Sequence, residues 1–531
     1  MCGTFLCENR EALVTPVLNG STGRAGKAKG HNPAMNVTGE SDTLVVPAKS
    51  PNEVALAAEE VMEGRSVVKG NTGQQNMSRT QCRPNDMQSA LERVRQVARR
   101  DRGAKFTSIF HHLSVERLRQ AFDALQKNAS PGVDGVTWAQ YSANADDNVL
   151  RLHKRLHQGA YRAKPSRRVY IPKPDGRQRP LGVAALEDKI VQRAATDVMN
   201  AIYEADFLGF SYGFRPGRGA HDALDALTVG IERKKVNWVL DADIRGFFDA
   251  IDHDWMVRFV EHRIGDPRML RLIRKWMKAG VLEDGKLVES TTGTPQGATV
   301  SPLLANLYLH HVFDLWAQQW RSRHSSGDIV VTRYADDFVV GFQRWGDALK
   351  FLKDLRDRLA KFGLELHPDK TRLIRFGRFA SDQRAREGQG KPETFSFLGF
   401  THICAKSRDG KFSLRRKTDA KRMRAKLAQL RVEILRRRHQ SITEQGRWLG
   451  SVVRGYFAYY AVPTNIYSLG RFRSEVGRAW FRALFRRSQR HSITWPRMKR
   501  LQDRWLPPAR ILHPWPGDRF DAKTQDRSRV R

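Results

Sequence analysis

The chain has 531 residues, of which 93 are Lys or Arg and 56 are Asp or Glu, so its formal net charge is +37. That length is sufficient for several domains, and so large a positive charge predicts a polyanionic partner such as nucleic acid. No apolar run approaches the roughly 18–20 residues of a membrane span, and the four cysteines lack the paired spacing of a disulfide framework or a zinc site. We therefore expect no membrane association and a reducing compartment, the cytoplasm.

Residues 1–86 have a composition unlike that of the rest of the chain. Phe5 is their only aromatic residue, and Gly, Ser, Asn and Thr are frequent. Such a segment cannot bury much core, so we expect it to be largely disordered apart from one short helix near residues 52–63. We also hypothesise that part of it is an upstream extension of the reading frame, with Met77 and Met87 as candidate internal starts.

Helical periodicity begins near residue 87 and predicts an N-terminal helical extension over residues 87–165. Apolar residues first recur at spacings near three and four, as in Met87, Leu91, Val94 and Val97. A second helix is predicted within residues 113–128, where Ser114 is a suitable N-cap. One face of that helix would carry Leu118, Phe122 and Leu125.

A basic hairpin is predicted next. Lys173 and Arg179 lie on either side of a turn sequence, Pro-Asp-Gly at residues 174–176, so both side chains could be directed at one ligand. Arg suits phosphate oxygens through its bidentate geometry, and Lys through its point charge. The hairpin thus predicts contacts to an incoming triphosphate, and the alternative is a solvated basic turn.

Two segments carry acids at the ends of predicted strands. The run Trp238–Leu240 is strand-like and ends in Asp241 and Asp243, with Asp249 a further candidate. Alternation along a strand places Asp241 and Asp243 on the same face, so the local pattern does not choose between them.

The second acidic segment is the pair Asp336-Asp337, flanked by β-branched and aromatic residues on both sides. This pattern predicts two strands joined by a tight turn that carries the acids. Adjacent like charges are costly unless a cation neutralises them, and Mg²⁺ prefers carboxylates together with substrate phosphates. With an upstream acid, the pair would hold two Mg²⁺ ions roughly 3.5–4 Å apart, which favours nucleotidyl transfer. A solvated hairpin turn is the alternative for the pair alone.

The acidic segments also resemble a known family. Asp-Ile-Arg-Gly-Phe-Phe-Asp at residues 243–249 and Tyr-Ala-Asp-Asp at residues 334–337 resemble motifs A and C of the reverse transcriptases of bacterial group II introns. Further blocks of that family occur in order, at residues 132–137, 171–182, 213–218, 293–297, 301–306, 366–371 and 397–400. So many blocks in the family's order make the resemblance very specific over residues 130–400.

The resemblance implies an α+β fold, a right-hand polymerase followed by α-helical regions. Its implied divisions are fingers and palm at residues 166–405, a thumb at 406–440, the maturase domain X at 441–500 and a basic tail at 501–531.

The resemblance implies the catalytic set as well. It selects Asp243 over Asp241, and it makes Asp243, Asp336 and Asp337 the ligands of two Mg²⁺ ions. The carbonyl oxygen of Ile244 would be a further ligand.

Substrate and nucleic-acid contacts are implied in the same way. Phe248 would exclude a ribose 2′-hydroxyl, although a Phe beside another Phe is usually core. Gln296 and Gly297 would line the nascent base pair, because Gly297 permits close backbone approach. The candidate nucleic-acid contacts are Arg215, Arg218, Lys370 and Arg454. A structural ion pair is the alternative for Arg215 and Arg218, and support of the palm is the alternative for Lys370.

The C-terminal region is the most basic part of the chain. Residues 401–531 hold 33 Lys or Arg against 9 Asp or Glu, a net charge of +24, whereas residues 1–90 net zero. An amphipathic basic helix is predicted there, with the apolar residues Leu427, Leu430, Val432 and Leu435. The aromatic residues within 454–460 would either stack on unpaired RNA bases or form helix core. The tail from residue 510 to 516 should be irregular, and we expect no zinc-bearing endonuclease region.

These observations predict an RNA-directed DNA polymerase of a bacterial group II intron that also assists splicing and mobility. Its partners would be the intron RNA, an RNA template, a DNA primer or target, and dNTPs. One alternative is an RNA-binding splicing cofactor with little polymerase activity, and another is a reverse transcriptase that serves repair or defence. The intact acidic cluster favours the active polymerase, because a dormant site has no reason to keep costly like charges.

Overall fold

The computed structural model describes residues 84–172, 178–283, 285–288, 292–294, 297–487 and 493–525. The helix expected near residues 52–63 and the candidate start at Met77 therefore lie outside the described residues. The described chain is a mixed fold of α-helices and three β-sheets. None of its helices is both long enough and apolar enough to cross a membrane.

The helices and strands follow one another along the whole described chain. The α-helices are α1 (Pro84–Arg100), α2 (Val115–Asp123), α3 (Trp138–Ser142), α4 (Ala145–His157), α5 (Leu186–Tyr203), α6 (Ala220–Arg233), α7 (Phe247–Ala250), α8 (His253–Glu261), α9 (Pro267–Lys278), α10 (Ser301–Leu309), α11 (Leu315–Arg323), α12 (Trp345–Ala360), α13 (Ala380–Arg386), α14 (Ala420–Arg436), α15 (Ile442–Tyr460), α16 (Ile466–Phe485), α17 (Trp495–Trp505) and α18 (Pro516–Gln525). The strands are β1 (Ser166–Pro172), β2 (Gln178–Val183), β3 (Trp238–Asp243), β4 (Val281–Glu283), β5 (Lys286–Val288), β6 (Ile329–Tyr334), β7 (Asp337–Phe342), β8 (Arg372–Arg375), β9 (Phe395–Phe397), β10 (Phe400–Lys406) and β11 (Phe412–Thr418).

The predicted N-terminal helices are present as α1 and α2. Ser114 caps α2 by accepting a hydrogen bond from the backbone N–H of Arg117. Leu118 and Phe122 of this helix are buried, as is Leu91 of α1. Both helices pack against α5, so they belong to the same core as the elements that follow.

The first sheet contains the predicted basic hairpin. Its strand order is β2-β1-β4-β5, with β1 and β2 antiparallel and β1 and β4 parallel. In the hairpin, Ile171 lies opposite Arg179 and Pro172 lies opposite Gln178.

The second sheet carries the predicted acids. Its strand order is β6-β7-β3-β8, and all neighbouring strands are antiparallel. Val239 and Leu240 of β3 point to opposite faces of the sheet, and both are fully buried, so both faces of this strand are covered. That burial accounts for the continuous apolar run which precedes the acids.

Helix α10 carries Pro302 in its first turn, a position where proline is well tolerated. Its residues are almost all buried, and it continues through a π-helical turn at His310–Asp314 into α11. Such a turn inserts an extra residue into the helix and often marks a functional position. Here it places Asp314 against the second sheet, where the acid meets Arg333.

The third sheet, of order β11-β10-β9, leads into α14, the predicted basic helix. Its buried face consists of Met423, Leu427, Leu430 and Ile434. The assignment of Val432 and Leu435 to the apolar face was wrong, since they are 69% and 41% exposed. A face that contains Leu427 and Leu430 continues at Ile434, four residues after Leu430.

The tail is partly irregular, as predicted, and partly helical. Residues 506–515 have no regular structure, but α18 follows and packs against α6. Arg233 of α6 binds both carboxylate oxygens of Asp521 at 2.8 and 2.6 Å. Arg519 likewise forms an ion pair with Asp225. The sequence pattern did not predict this helix or its attachment.

Candidate active site

The turn between β6 and β7 presents two of the predicted acids. Tyr334 pairs with Asp337, so Ala335 and Asp336 form a two-residue turn. Ala335 has a φ of +57°, the left-handed conformation that such hairpin turns require. The strand–turn–strand prediction is therefore confirmed, with Asp336 at the tip and Asp337 as the first residue of β7.

Strand pairing brings Asp243 to this turn. It is the last residue of β3, and it lies directly opposite Asp337. Directly opposed residues in antiparallel strands have Cβ atoms about 4.5–5.5 Å apart. Asp241, two residues earlier, forms an ion pair with Arg372 of β8 at 3.5 Å. Asp241 thus has a cationic partner of its own, and Asp243 is the acid beside the turn.

The surroundings of Asp336 and Asp337 disfavour the ionisation of these two acids. Although Asp337 is open to solvent on one side, partial burial and then the charges of Asp336 and Asp243 raise its pKa to about 7. Burial also raises the pKa of Asp336, and Arg179 and Lys370 oppose that rise. Lys370 forms an ion pair with Asp243. A cluster of this kind is stabilised by cations, because each positive charge lowers the cost of ionising the acids.

The donor set fits a divalent cation of the Mg²⁺ type. Within the described residues no group of three or more His, Cys, Asp or Glu side chains is placed to hold a metal ion. Mg²⁺ does not need such a group, since it is usually held by one or two carboxylates together with waters and substrate phosphates. The carbonyl oxygen of Ile244 also fits. Ile244 forms an isolated β-bridge with Leu366, and the two hydrogen bonds of this bridge run from His367 N–H to the Asp243 carbonyl and from Arg245 N–H to the Glu365 carbonyl, so neither uses the Ile244 carbonyl.

A buried ion pair lies directly beneath the acidic turn, and our sequence analysis missed it. Arg333 and Asp314 are both fully buried and form a bidentate pair at 2.7 and 2.6 Å. The remaining guanidinium donors bind the side chains of Asn306 and Ser211 and the carbonyl oxygen of Ala335. All five N–H groups of Arg333 therefore have acceptors, one of them on the turn itself. An Arg within an apolar strand run was the available signal.

Gly213 packs against the opposite side of the same turn. A Cβ atom on Gly213 would lie 2.3 Å from the backbone nitrogen of Ala335, so no larger residue fits. The Asn306 amide donates to the carbonyl oxygen of Gly213 at 2.5 Å. Asn306 thus contacts both Arg333 and the Gly213 loop, which couples two of the predicted sequence blocks to the acids.

The predicted triphosphate contacts are only partly described. Lys173 lies outside the described residues. Arg179 is exposed on β2, and it is close enough to Asp336 to lower the pKa of that acid.

Of the residues predicted to contact the sugar and the nascent base pair, Phe248 lies in the short helix α7 and Gly297 lies beside β2. Phe248 is half-buried against Phe247, with ring centroids 5.4 Å apart, and its carbonyl oxygen accepts a hydrogen bond from Thr294. Gln296 lies outside the described residues. Gly297 has a φ of +108°, and a Cβ atom there would lie 2.8 Å from the carbonyl oxygen of Gly182 on β2. Close approach therefore requires glycine at this position.

For Arg215 the geometry favours the structural alternative over a phosphate contact. Its side chain is 2% exposed and pairs with Glu204 at 2.7 Å. Its other donors bind the carbonyl oxygens of Leu208 and Ser211, both at 2.7 Å. Arg218 is half-buried and donates to the carbonyl oxygen of Gly209.

Arg454 and the aromatic residues after it differ in exposure. Arg454 is exposed on α15. Tyr456 and Phe457 are buried, and the Tyr456 ring stacks on Phe472 with centroids 3.6 Å apart. Tyr459 donates to the carbonyl oxygen of Leu398 at 2.7 Å. The helix-core alternative thus describes these rings better than a base-stacking role.

Much of the chain is similar to known proteins. Residues 171–402 match the family described as reverse transcriptase (RNA-dependent DNA polymerase). Protein YkfC of Escherichia coli K12 is 34% identical over 278 residues, which cover 46% of this chain and 72% of YkfC. The group II intron-encoded protein LtrA of Lactococcus lactis subsp. cremoris is 34% identical over 224 residues, 42% of this chain and 37% of LtrA.

A shorter match extends to a plant protein. Nuclear intron maturase 3 of Arabidopsis thaliana is 29% identical over 124 residues, 23% of this chain and 17% of that protein. The chain thus spans most of YkfC but only about a third of LtrA and a smaller share of the maturase. The chain belongs to the reverse transcriptase family, within the group of group II intron-encoded reverse transcriptases and maturases.

Proposed function

We propose that this protein is an RNA-directed DNA polymerase of a group II intron and that it also binds the intron RNA to assist splicing and mobility. The observation that carries the proposal is the register of the second sheet, in which Asp243 lies opposite Asp337 beside the tip residue Asp336. The similarity of the chain to the reverse transcriptase family and to LtrA supports the same activity. The substrates would be dNTPs, an RNA template and a DNA primer.

The sheets and helices support a right-hand polymerase arrangement. The second sheet would be the palm and the first sheet the fingers, within residues 166–405. Helix α14 would be the thumb within residues 406–440, and α15 and α16 would belong to domain X at residues 441–500. Residues 87–165 would be the N-terminal extension, and the tail at 501–531 would include α18.

Two Mg²⁺ ions would be held by Asp243, Asp336 and Asp337, with the carbonyl oxygen of Ile244 as a further ligand. When bound, the ions would supply Lewis acidity, favouring ionisation of the primer 3′-hydroxyl and neutralising charge at the reacting phosphate. The raised pKa of Asp337 supports this assignment, because the acids gain from a cation beside them.

The chain's own residues would orient the substrates. Arg179, exposed near Asp336, would bind the triphosphate together with Lys173. Phe248 would close the space beside the sugar and so disfavour a ribose 2′-hydroxyl. Gln296 and Gly297 would line the nascent base pair, and the absence of a Cβ at Gly297 keeps that loop against β2.

RNA binding would depend on the basic C-terminal region. The exposed residues of the first turns of α14 include Lys421, Arg422, Arg424 and Lys426. With Arg454, Arg218 and Lys370 they offer cations to phosphates, and such contacts weaken as salt rises. Arg215 is left out of this set because its donors are already used.

Primer extension tests the proposal most directly. Wild type, Asp336→Ala and the control Asp249→Ala would be given a DNA primer on an RNA template with dNTPs and Mg²⁺. Asp249 is exposed on the same segment as Asp243, yet it is not part of the cluster. We expect extension by wild type and by the control, and a loss of roughly three orders of magnitude or more in Asp336→Ala.

RNA affinity, measured in parallel, separates the alternatives. Retained salt-sensitive binding in Asp336→Ala supports a catalytic role, whereas an equal loss of binding and extension would indicate a folding role. If neither wild type nor variant extends the primer while RNA binding is intact, the protein is a splicing cofactor instead. A self-splicing assay with added protein then tests that function.

A further inference from the structure

Phe214 combines an unfavourable backbone conformation with an exposed ring. Its φ is +57°, which a bulky residue rarely adopts, and the residue is 49% exposed. In the described chain, positive φ at a residue other than glycine also occurs at Ala335 in the acidic turn, and at Leu398 and Thr464. Exposed apolar surface contributes nothing to folding, so both features together indicate a functional constraint.

Phe214 lies beside the acids. The preceding residue, Gly213, packs its backbone against Ala335 and is anchored by Asn306. The Phe214 ring is 6.5 Å from the ring of Tyr334, centroid to centroid. Its exposed side therefore belongs to the surface that borders Asp336.

We propose that Phe214 packs against a sugar and base edge of the primer–template duplex, next to the primer terminus. The inference rests on the proposed function, which requires a primer end at Asp336 and Asp337. A duplex that reaches those acids must lie along the surface beside the turn. Apolar contact with sugars and base edges is a recognised way for a protein to fix a duplex.

The strained backbone gives the inference a specific signature. A glycine at position 214 removes the ring and also the cost of the left-handed conformation. Phe214→Gly should therefore weaken duplex binding while leaving thermal stability unchanged or higher. An ordinary packing residue would lose both together.

The test measures affinity for a labelled RNA–DNA primer–template duplex with a 3′-deoxy terminus, by fluorescence anisotropy without dNTPs. The matched control is Phe379→Ala, since Phe379 is 48% exposed. Phe379 lies far from the acids along the sheet: Gly377, two residues before it, packs on Val236, which precedes β3, whereas Asp243 is the last residue of that strand. We expect the dissociation constant of Phe214→Gly to rise about five- to tenfold, as for loss of a half-buried Phe contact, and that of the control to stay unchanged.

Equal affinities of wild type and Phe214→Gly would overturn the inference, as would equal losses in both variants. A fall in melting temperature that parallels the loss of affinity would also overturn it, because the ring would then be structural. Primer extension by wild type judges the proposed function separately. If wild type binds the duplex but does not extend the primer, the polymerase proposal fails while the comparison of affinities still decides the role of Phe214.

Discussion

Removal of the buried acid Asp314 should destabilise the acidic turn and the whole second sheet. Burial alone would raise the pKa of Asp314, but Arg333 and His310 hold it below its usual value, so the acid is ionised. Asp314→Ala leaves the guanidinium of Arg333 fully buried without a counter-ion. Breaking a buried pair in this way costs about 3–5 kcal/mol. Since a domain is stable by about 5–15 kcal/mol, the effect is easily measured.

The assay is urea unfolding of four variants beside wild type, which include the single changes Asp314→Ala and Arg333→Met. Glu261→Ala is the control, because Glu261 pairs with Arg274 at 2.8 Å with both side chains partly exposed. Loss of such a surface pair costs about 0–1 kcal/mol. The double variant Asp314→Ala with Arg333→Met removes both charges and should recover part of the stability.

The outcome for activity differs from that for stability. Arg333 also binds the carbonyl oxygen of Ala335, so the double variant should regain stability without regaining full primer extension. The reasoning is refuted if Asp314→Ala costs no more than Glu261→Ala. It is refuted as well if the double variant loses the sum of the two single losses, because the charges would then not depend on each other.

Three further predictions follow from individual residues. Asp337→Asn should raise the free energy of unfolding at pH 8 without divalent cations, by no more than about 1 kcal/mol after solvent screening. A carboxyl group with a pKa raised to about 7 makes the folded protein less stable as the pH rises from about 4 to 7, so below pH 4 both proteins should melt alike. Gly297→Ala should lower the free energy of unfolding by about 1–3 kcal/mol, because its Cβ meets Gly182 in a strained backbone; calorimetry measures this. Arg454→Ala should weaken RNA binding, and in filter-binding titrations it should reduce by about one the slope of the logarithm of the binding constant against the logarithm of the salt concentration. Arg215→Ala should mainly lower the stability of the fold.

Local patterns were sufficient to predict the acidic turn and the strands that carry it. Two apolar runs around Asp336-Asp337 encode a hairpin by themselves, and the two-residue turn follows from that spacing. The cap at Ser114 and the proline start of α10 are equally local signals. The choice of Asp243 over Asp241 was not local, since it needed the family resemblance. The structure adds a geometric reason, because Asp243 lies opposite Asp337 whereas Asp241 lies opposite Val339.

Features that depend on distant contacts were not predictable in the same way. Arg215 lies in a Gly- and Pro-containing segment, which in sequence resembles an exposed phosphate-binding loop. Its burial comes from the fold of that loop over the end of α5, where Glu204 lies. The pairing of Arg333 with Asp314 depends on a π-helical turn that no sequence pattern indicated. Val432 and Leu435 are apolar but exposed, so apolar character alone did not identify the buried face of α14.

The C-terminal helix α18 relates the basic region to the sheet that carries the acids. Asp225 of α6 is 1% exposed and accepts hydrogen bonds from Arg416 of β11 and Arg519 of α18. Two arginines from distant parts of the chain thus bind one carboxylate, and these contacts tie both α18 and β11 to α6. Helix α6 also packs on β6, the strand that leads to Asp336. The position of the proposed RNA-binding region relative to the acids is therefore set by the protein's own contacts, and bound RNA does not have to create it.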